Sequence, residues 1–255
     1  MQSSIVIEAK FRGPPDSGNG GYISGAFAGH LVALSGAPTD GAGDAVQVTL
    51  RAPTPLDVEM QVVGVDADHL DVKQGEVLIA QAERIELDLE VPTPPSFADA
   101  AAAVGESPAL MPGLNSLVPG GLGFHPICFC CGADVDASEG LRVFAAPVEG
   151  FDGVAAAWQP DAAFADDEGF LPSAVVWAAL DCPGQFAFMN DGIRTGLLGR
   201  MTAKILKPVA ASDQIVVIGW CIGIEGKKHF AGTAMFNQQG ECCAVSKQVW
   251  IGRQD

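Results

Sequence analysis

Leu171-Pro-Ser-Ala-Val-Val-Trp-Ala-Ala-Leu-Asp181-Cys-Pro-Gly184 carries a single charge in fourteen residues and reads as a buried helix. An ionised carboxylate withdrawn from water is unstable unless it is paired, or unless its proton affinity is tuned for chemistry. Asp181 is therefore either a partnered structural group or a catalytic one. Pro183 cannot donate to the helical ladder and frees the carbonyl of Ala179, which predicts a kink or an end of the helix beside the acid; Gly184 eases the bend.

The segments around this helix, which runs to about residue 189, are strand-like. Residues 141–147 and 153–159 precede it, and residues 202–206, 214–222, 229–237 and 242–251 follow it, with β-branched and polar residues alternating. The first part of the chain shows the same order. A strand-like segment at residues 4–11 leads through Asn19-Gly20-Gly21 to an apolar helix at 22–35, then to strands at 45–51, 59–66 and 77–91. Details repeat as well. Val48-Thr-Leu-Arg-Ala-Pro53 has the form of Ala203-Lys-Ile-Leu-Lys-Pro208, and Gly75-Glu76 holds the place of Gly240-Glu241 before a last strand.

Between the copies, residues 92–140 are dense in proline and glycine: Pro92-Thr-Pro-Pro95, Pro112-Gly113 and Pro119-Gly120-Gly121-Leu-Gly123. They read as a connection with one short helix at 97–104. The expected organisation is α+β in two units, residues 1–91 and 141–255, each a long helix with an antiparallel sheet, joined by a linker at 92–140.

With 255 residues and 48% hydrophobic content the chain can bury a large core, which excludes global disorder. No apolar run reaches the roughly 18 to 20 residues that span a bilayer. Residues 1–20 carry Glu8, Lys10 and Arg12 where a signal peptide would be apolar, so a cytoplasmic location is expected. Seven cysteines, an odd number with adjacent pairs at Cys130-Cys131 and Cys242-Cys243, suit a reducing compartment. A net charge of −17 argues against nucleic acid and anionic membrane as partners. Against that background Arg194, Arg200, Lys204, Lys207, Lys227 and Lys228 outnumber Asp213 and Glu225 locally. This is either an ordinary basic face or a place to hold a small anion.

The chain resembles the hotdog superfamily of acyl-CoA thioesterases in its fused, double-hotdog form. Four segments carry the likeness: Phe11-Arg-Gly-Pro-Pro15 with Asn19-Gly-Gly-Tyr22; Cys128-Phe-Cys-Cys-Gly132 with Gly140-Leu-Arg142; Trp177-Ala-Ala-Leu-Asp181; and Ile205-Leu-Lys-Pro208. The resemblance implies two tandem hotdogs, each a curved antiparallel sheet wrapped around a central helix. It also implies a site between them that hydrolyses an apolar acyl thioester. Asp181 would be its acid, as base or nucleophile. Asn19, Gly20 and Gly21 would form its oxyanion side, because glycine lets backbone approach substrate and free N–H groups at a helix start favour an anion. Many single-hotdog members begin the helix with His-Gly-Gly, where this chain has Asn19-Gly20-Gly21 and Leu171-Pro172-Ser173.

Trp177, one turn before Asp181, would line an acyl channel or simply pack in the core, and Tyr22 joins it as a candidate for substrate contact. Arg200, Lys204 and Lys207 are candidates for the phosphates of CoA, which enters as part of the substrate; no separate cofactor is expected. Eight residues separate Ser173 from Asp181, and the same count from Gly21 reaches Gly29, beside His30 but no carboxylate. One site per chain is therefore expected, with His30 a core residue, and double-hotdog units can associate further into homo-oligomers. His125, Cys128, Cys130 and Cys131 are close enough to suggest zinc. Structural zinc sites draw on two separated pairs, however, and adjacent cysteines do not easily share one ion, so no metal is expected there. Two other functions use the same fold: a non-catalytic acyl-CoA binding protein, and an enoyl-thioester hydratase or dehydratase, which pairs an acid with a histidine.

Overall fold

The computed structural model describes residues 2–35, 45–115 and 124–252; the glycine-rich run at 119–123 lies outside them. Strands β1 (Gln2–Val6), β2 (Ala45–Leu50), β3 (Glu59–Gly64), β4 (His69–Gln74), β5 (Val77–Ile85), β6 (Ala146–Pro147), β7 (Val154–Trp158), β8 (Leu198–Ile205), β9 (Ile215–Glu225), β10 (Lys228–Phe236) and β11 (Cys242–Ile251) join in one sheet of 11 strands. Their order is β1-β3-β4-β5-β2-β8-β11-β10-β9-β7-β6. Every pairing between these strands is antiparallel. At the centre β2 pairs with β8, Val48 opposite Met201. Outward from that pair the order is β5, β4, β3, β1 on one side and β11, β10, β9, β7 on the other, so the same sequence of connections runs in both directions.

Among the described residues three α-helices complete the fold: α1 (Gly20–Ser35), α2 (Phe97–Ala103) and α3 (Ser173–Asn190). Apolar positions on the strands set which sheet face is covered. On β3 and β4, Met60, Val62, Leu70 and Val72 are fully buried between more exposed neighbours, the period of two that one covered face requires. They join Ile23, Phe27 and Leu31 of α1 in the core. α3 is buried from Val175 to Met189, and a helix apolar on all sides belongs inside. The two long helices meet closely at Gly21 and Gly25. A Cβ at Gly21 would lie 2.4 Å from the Trp177 carbonyl oxygen, and one at Gly25 would lie 2.8 Å from Ala174 Cα.

The helix does not end at Pro183: α3 continues through it to Asn190. The neighbouring strands support this turn. Gln248 of β11 donates from Nε2 to the Leu180 carbonyl at 2.6 Å, and Trp250 Nε1 donates to Gln248 Oε1 at 2.8 Å. Gly184 leaves room for that side chain, since a Cβ there would fall 1.9 Å from Gln248 Oε1. Replacing Gln248 by Leu removes this contact and leaves the buried Trp250 Nε1 without its acceptor, and should lower stability by about 1–3 kcal/mol, read from the urea midpoint; an unchanged midpoint would show the helix needs no such support.

Other boundaries also differ from the sequence reading. The segment 4–11 stops as a strand at Val6 and turns at Ala9–Phe11, where Asp57 accepts from the Ala9 N–H and Arg12 Nε donates back to the Ala9 carbonyl. The strand expected at 77–91 ends at Ile85. β4 is absent from the expected strands, because only two core residues alternate with His69, Asp71 and Lys73. β8 begins earlier than expected, at Leu198. Of residues 141–147 only Ala146–Pro147 are a strand; Leu141 and Val143 instead donate to the carbonyls of Phe129 and Cys130. The cysteine-bearing segment is thereby drawn into the core, with Phe124 and Cys128 to Cys131 all buried. Among the described residues no helix is long and apolar enough to cross a membrane.

Candidate active site

The chain enters α1 through a tight loop. The Gly18 N–H donates to the Thr54 carbonyl at 3.1 Å and the Asn19 N–H to the Phe11 carbonyl at 2.8 Å, which fixes Asn19 at the helix start. Asn19 is 1% exposed and uses both ends of its amide. Its Oδ1 accepts from the Tyr22 N–H at 2.9 Å, an N-cap contact, and its Nδ2 donates to Asp181 Oδ2 at 2.7 Å. The carboxylate belongs to the middle of α3 and sits against Gly21, where a Cβ would lie 2.7 Å from Asp181 Cβ. Only a residue without a side chain lets the acid and the first turn of α1 meet.

Asp181 is 3% exposed, and its Oδ1 has no hydrogen-bond partner; the Gly21 N–H points towards the carboxylate without closing a full bond. Burial, with the neighbouring Cys128 sulfur as a smaller cause, pushes its pKa up to about 7 against the opposing pull of Gly21 and Asn19. The carboxylate is thus a stronger base than an exposed aspartate, with one oxygen left to act.

Asp181, Asn19 and Gly20 line a cavity of about 440 Å³, in the size range of small-molecule sites. Ile23, Leu50, Pro53, Leu198, Trp250 and Ile251 give it apolar walls, and Phe124, His125, Gln185 and Arg51 also face it. Gln185, one turn after Asp181, donates to the Gly196 carbonyl at 3.1 Å. Arg51 is exposed at the rim, its guanidinium held by Gln81 Oε1 at 2.8 Å and 3.0 Å. Three cysteines, Cys128, Cys131 and Cys182, complete one wall.

Asp181, Asn19 and Gly20 are therefore brought together, with Gly21 directly behind the carboxylate. The five proposed substrate contacts are elsewhere. Trp177 packs against Gly25 and is absent from the cavity wall, because it meets α1 one turn further along than Asp181 does. Tyr22 stacks on Phe11 at 3.8 Å and packs edge-on to Phe129, which makes it a core contact outside the cavity. Arg200 Nε donates to Thr49 Oγ1 across the β2–β8 pair, Lys204 lies within β8, and Lys207 is ion-paired with Glu241 at 2.5 Å; none lines the cavity. His30 is half-buried, 3.4 Å from Ser3 Oγ, and no atom lies within 4 Å of a Cβ built on Gly29.

Arg51, Gln185 and Cys182 were missed by the sequence reading. The spacing of Asp181 and Gln185, four apart on a helix, was a signal for one of them. Arg51 and Cys182 had none until the pairing of β2 with β8, and the depth of α3, were known.

No family model matches the chain, and neither does any curated protein. Solved structures do. A protein of unknown function with hot dog fold from Alicyclobacillus acidocaldarius superposes with a TM-score of 0.52 at 12% identity, covering 100% of this chain and 94% of that one. This chain has the hotdog fold. A TesB protein of Mycobacterium avium subsp. paratuberculosis gives a TM-score of 0.62 at 14% identity, over 99% of this chain and 93% of the other. An acyl-CoA thioesterase II of Mycobacterium marinum gives 0.54 at 11% identity, over 100% and 93%. Nearly full coverage in both directions means that the match takes in the whole 11-stranded arrangement.

Proposed function

We propose that the chain is a thioester hydrolase acting on an apolar acyl-CoA, with one site per chain. The observation that carries this reading is the pairing of a buried, half-satisfied carboxylate with the first turn of another helix on the wall of an apolar cavity. The name of the Mycobacterium marinum neighbour, an acyl-CoA thioesterase II matched over nearly the full length of both chains, supports it. In this reading the chain is a pair of hotdogs, residues 1–91 and 141–255 joined by 92–140, and the mirrored strand order about the β2–β8 pair is the trace of that duplication.

Asp181 takes a proton from water as the water oxygen adds to the thioester carbonyl. The developing oxyanion is met by the N–H group of Gly20, which lines the cavity at the positive end of α1, while the Gly21 N–H stays with the carboxylate. Collapse expels the CoA thiolate, which recovers the proton, and leaves the free acid. Asn19 orients the carboxylate through its 2.7 Å bond. The cavity takes the acyl group and thioester, and CoA extends past Arg51. Release of free thiol from a panel of acyl-CoAs, read with a thiol-reactive dye, tests the reading; tight binding of every thioester without release would replace it with a binding function.

Arg51 gives a separate test of the direction of entry. Replacing it by Ala removes one exposed contact to phosphate, worth up to about 1 kcal/mol, so KM for acyl-CoA should rise about fivefold. KM for the same acyl group on a carrier lacking phosphates should not change. Equal effects on both would place CoA elsewhere.

The same cavity supports a second reading. His125 shares its wall with Asp181, and an acid with a histidine is the equipment for adding water across an enoyl thioester. Loss of enoyl absorbance from a crotonyl thioester without release of thiol would favour it.

A further inference from the structure

The hydrolysis proposed above leaves one chemical feature of the cavity without a use. Cys128, Cys131 and Cys182 are all buried, and their three Sγ atoms lie within 4.8 Å of one another. All three are free thiols. The Cys128 and Cys182 sulfurs are 3.8 Å apart, far beyond the roughly 2.05 Å of a disulfide. A zinc–sulfur bond of about 2.3 Å places two thiolates of a tetrahedral site about 3.8 Å from each other. The observed separation is thus the edge of such a tetrahedron.

The backbone around the cluster has the corresponding form. Cys128 and Cys131 flank a tight turn that closes with the Gly132 N–H on the Cys128 carbonyl at 2.7 Å. Gly132 is required for it, because a Cβ there would fall 2.5 Å from Cys128 O and 2.7 Å from Cys128 N. The Asn19 amide approaches Cys128 Sγ at 3.6 Å, a donor beside the sulfur that also holds Asp181. Cys182 arrives from α3, a separate element. Adjacent cysteines of one loop do not easily share an ion, but the fold brings in Cys182 as a distant ligand and leaves Cys130 out of the set.

We infer that Cys128, Cys131 and Cys182 form a three-thiolate site for a thiophilic divalent metal, zinc by preference, on the wall of the cavity beside Asp181. Three protein ligands leave the fourth tetrahedral position to a water from the cavity. Each thiol gives up its proton on ligation, so the bound site carries one net negative charge beside the carboxylate. The inference is independent of the hydrolase reading, since a metal can hold the 128–132 turn to α3 whether or not thioesters are cleaved.

Titration of the purified full-length chain, kept reduced, with Zn(II) and separately with Co(II) tests it. The expected results are about one equivalent of zinc by elemental analysis, and a cobalt adduct with strong thiolate-to-metal charge-transfer absorption and tetrahedral d–d bands. Cys128→Ser, Cys131→Ser or Cys182→Ser should weaken zinc binding by more than about a hundredfold, beyond what loss of a supporting contact alone gives. Cys221→Ser, at an exposed cysteine on β9, should bind as the parent does. Should the triad variants fail to fold, the cobalt spectrum of the parent chain decides. Failure of the parent to bind zinc, a cobalt spectrum without thiolate charge transfer, or undiminished uptake by a folded Cys182→Ser variant would each overturn the site and leave three packed thiols. Thiol release from acyl-CoA, measured in the same samples, keeps that failure distinct from failure of the hydrolase reading.

Discussion

Asp181→Asn should reduce kcat/KM for acyl-CoA hydrolysis by about a thousandfold or more while leaving the fold in place. The substitution keeps the shape of the side chain and can still meet the Asn19 amide through its own oxygen. It removes the carboxylate that the cavity wall places beside the first turn of α1 to take a proton from water, and general-base catalysis contributes on the order of 10²–10⁴-fold. Stability should not fall, and removal of a buried carboxylate with one unsatisfied oxygen favours a small rise. Thiol release measured beside a denaturant melt separates the two effects. A variant with full activity would remove Asp181 from the reaction. A variant that loses activity because it no longer folds would make the carboxylate structural.

The acid was legible in the sequence because one charge in an apolar helix has few innocent explanations. Its partner was legible in kind, since Asn-Gly-Gly before an apolar run marks a helix start, and the fold places Asn19 and Gly21 on either side of the carboxylate. Strand interiors were legible where apolar and polar residues alternate over a run longer than two core positions. β4 was not, because its outward residues are charged and its inward pair is too short to register as a run. The fate of Pro183 was also hidden. A proline predicts the loss of a helical bond but says nothing of a strand glutamine 65 residues later whose amide reaches the neighbouring carbonyl. Arg200, Lys204 and Lys207 show the opposite limit. Local charge density was read correctly, yet the sheet turns those residues towards Thr49, the strand surface and Glu241, and the cation that reaches the cavity, Arg51, stands alone in sequence.

The second large effect is a contrast within α1. Gly21 and Gly29 are eight residues apart on one helix, so propensity alone predicts that alanine stabilises at both positions, by about 0.5–1 kcal/mol each. The packing predicts opposite signs. At Gly29 an added Cβ meets nothing within 4 Å, so the propensity gain stands and Gly29→Ala should raise the urea midpoint. At Gly21 the same atom would lie 2.4 Å from the Trp177 carbonyl oxygen, 2.7 Å from Asp181 Cβ and 3.0 Å from Ala178 Cα. Two of these are backbone atoms of a buried helix, which do not swing aside as a flexible side chain would. The helices must separate instead, at a cost of about 1–3 kcal/mol or more, and the separation acts directly on the contact between Asp181 and the start of α1. Gly21→Ala should therefore lower the midpoint and, in the fraction that remains folded, lower hydrolysis without a matching rise in KM. Equal stabilisation by both alanines would mean that α1 and α3 are not in contact at this point, and the site built on that contact would fall with it.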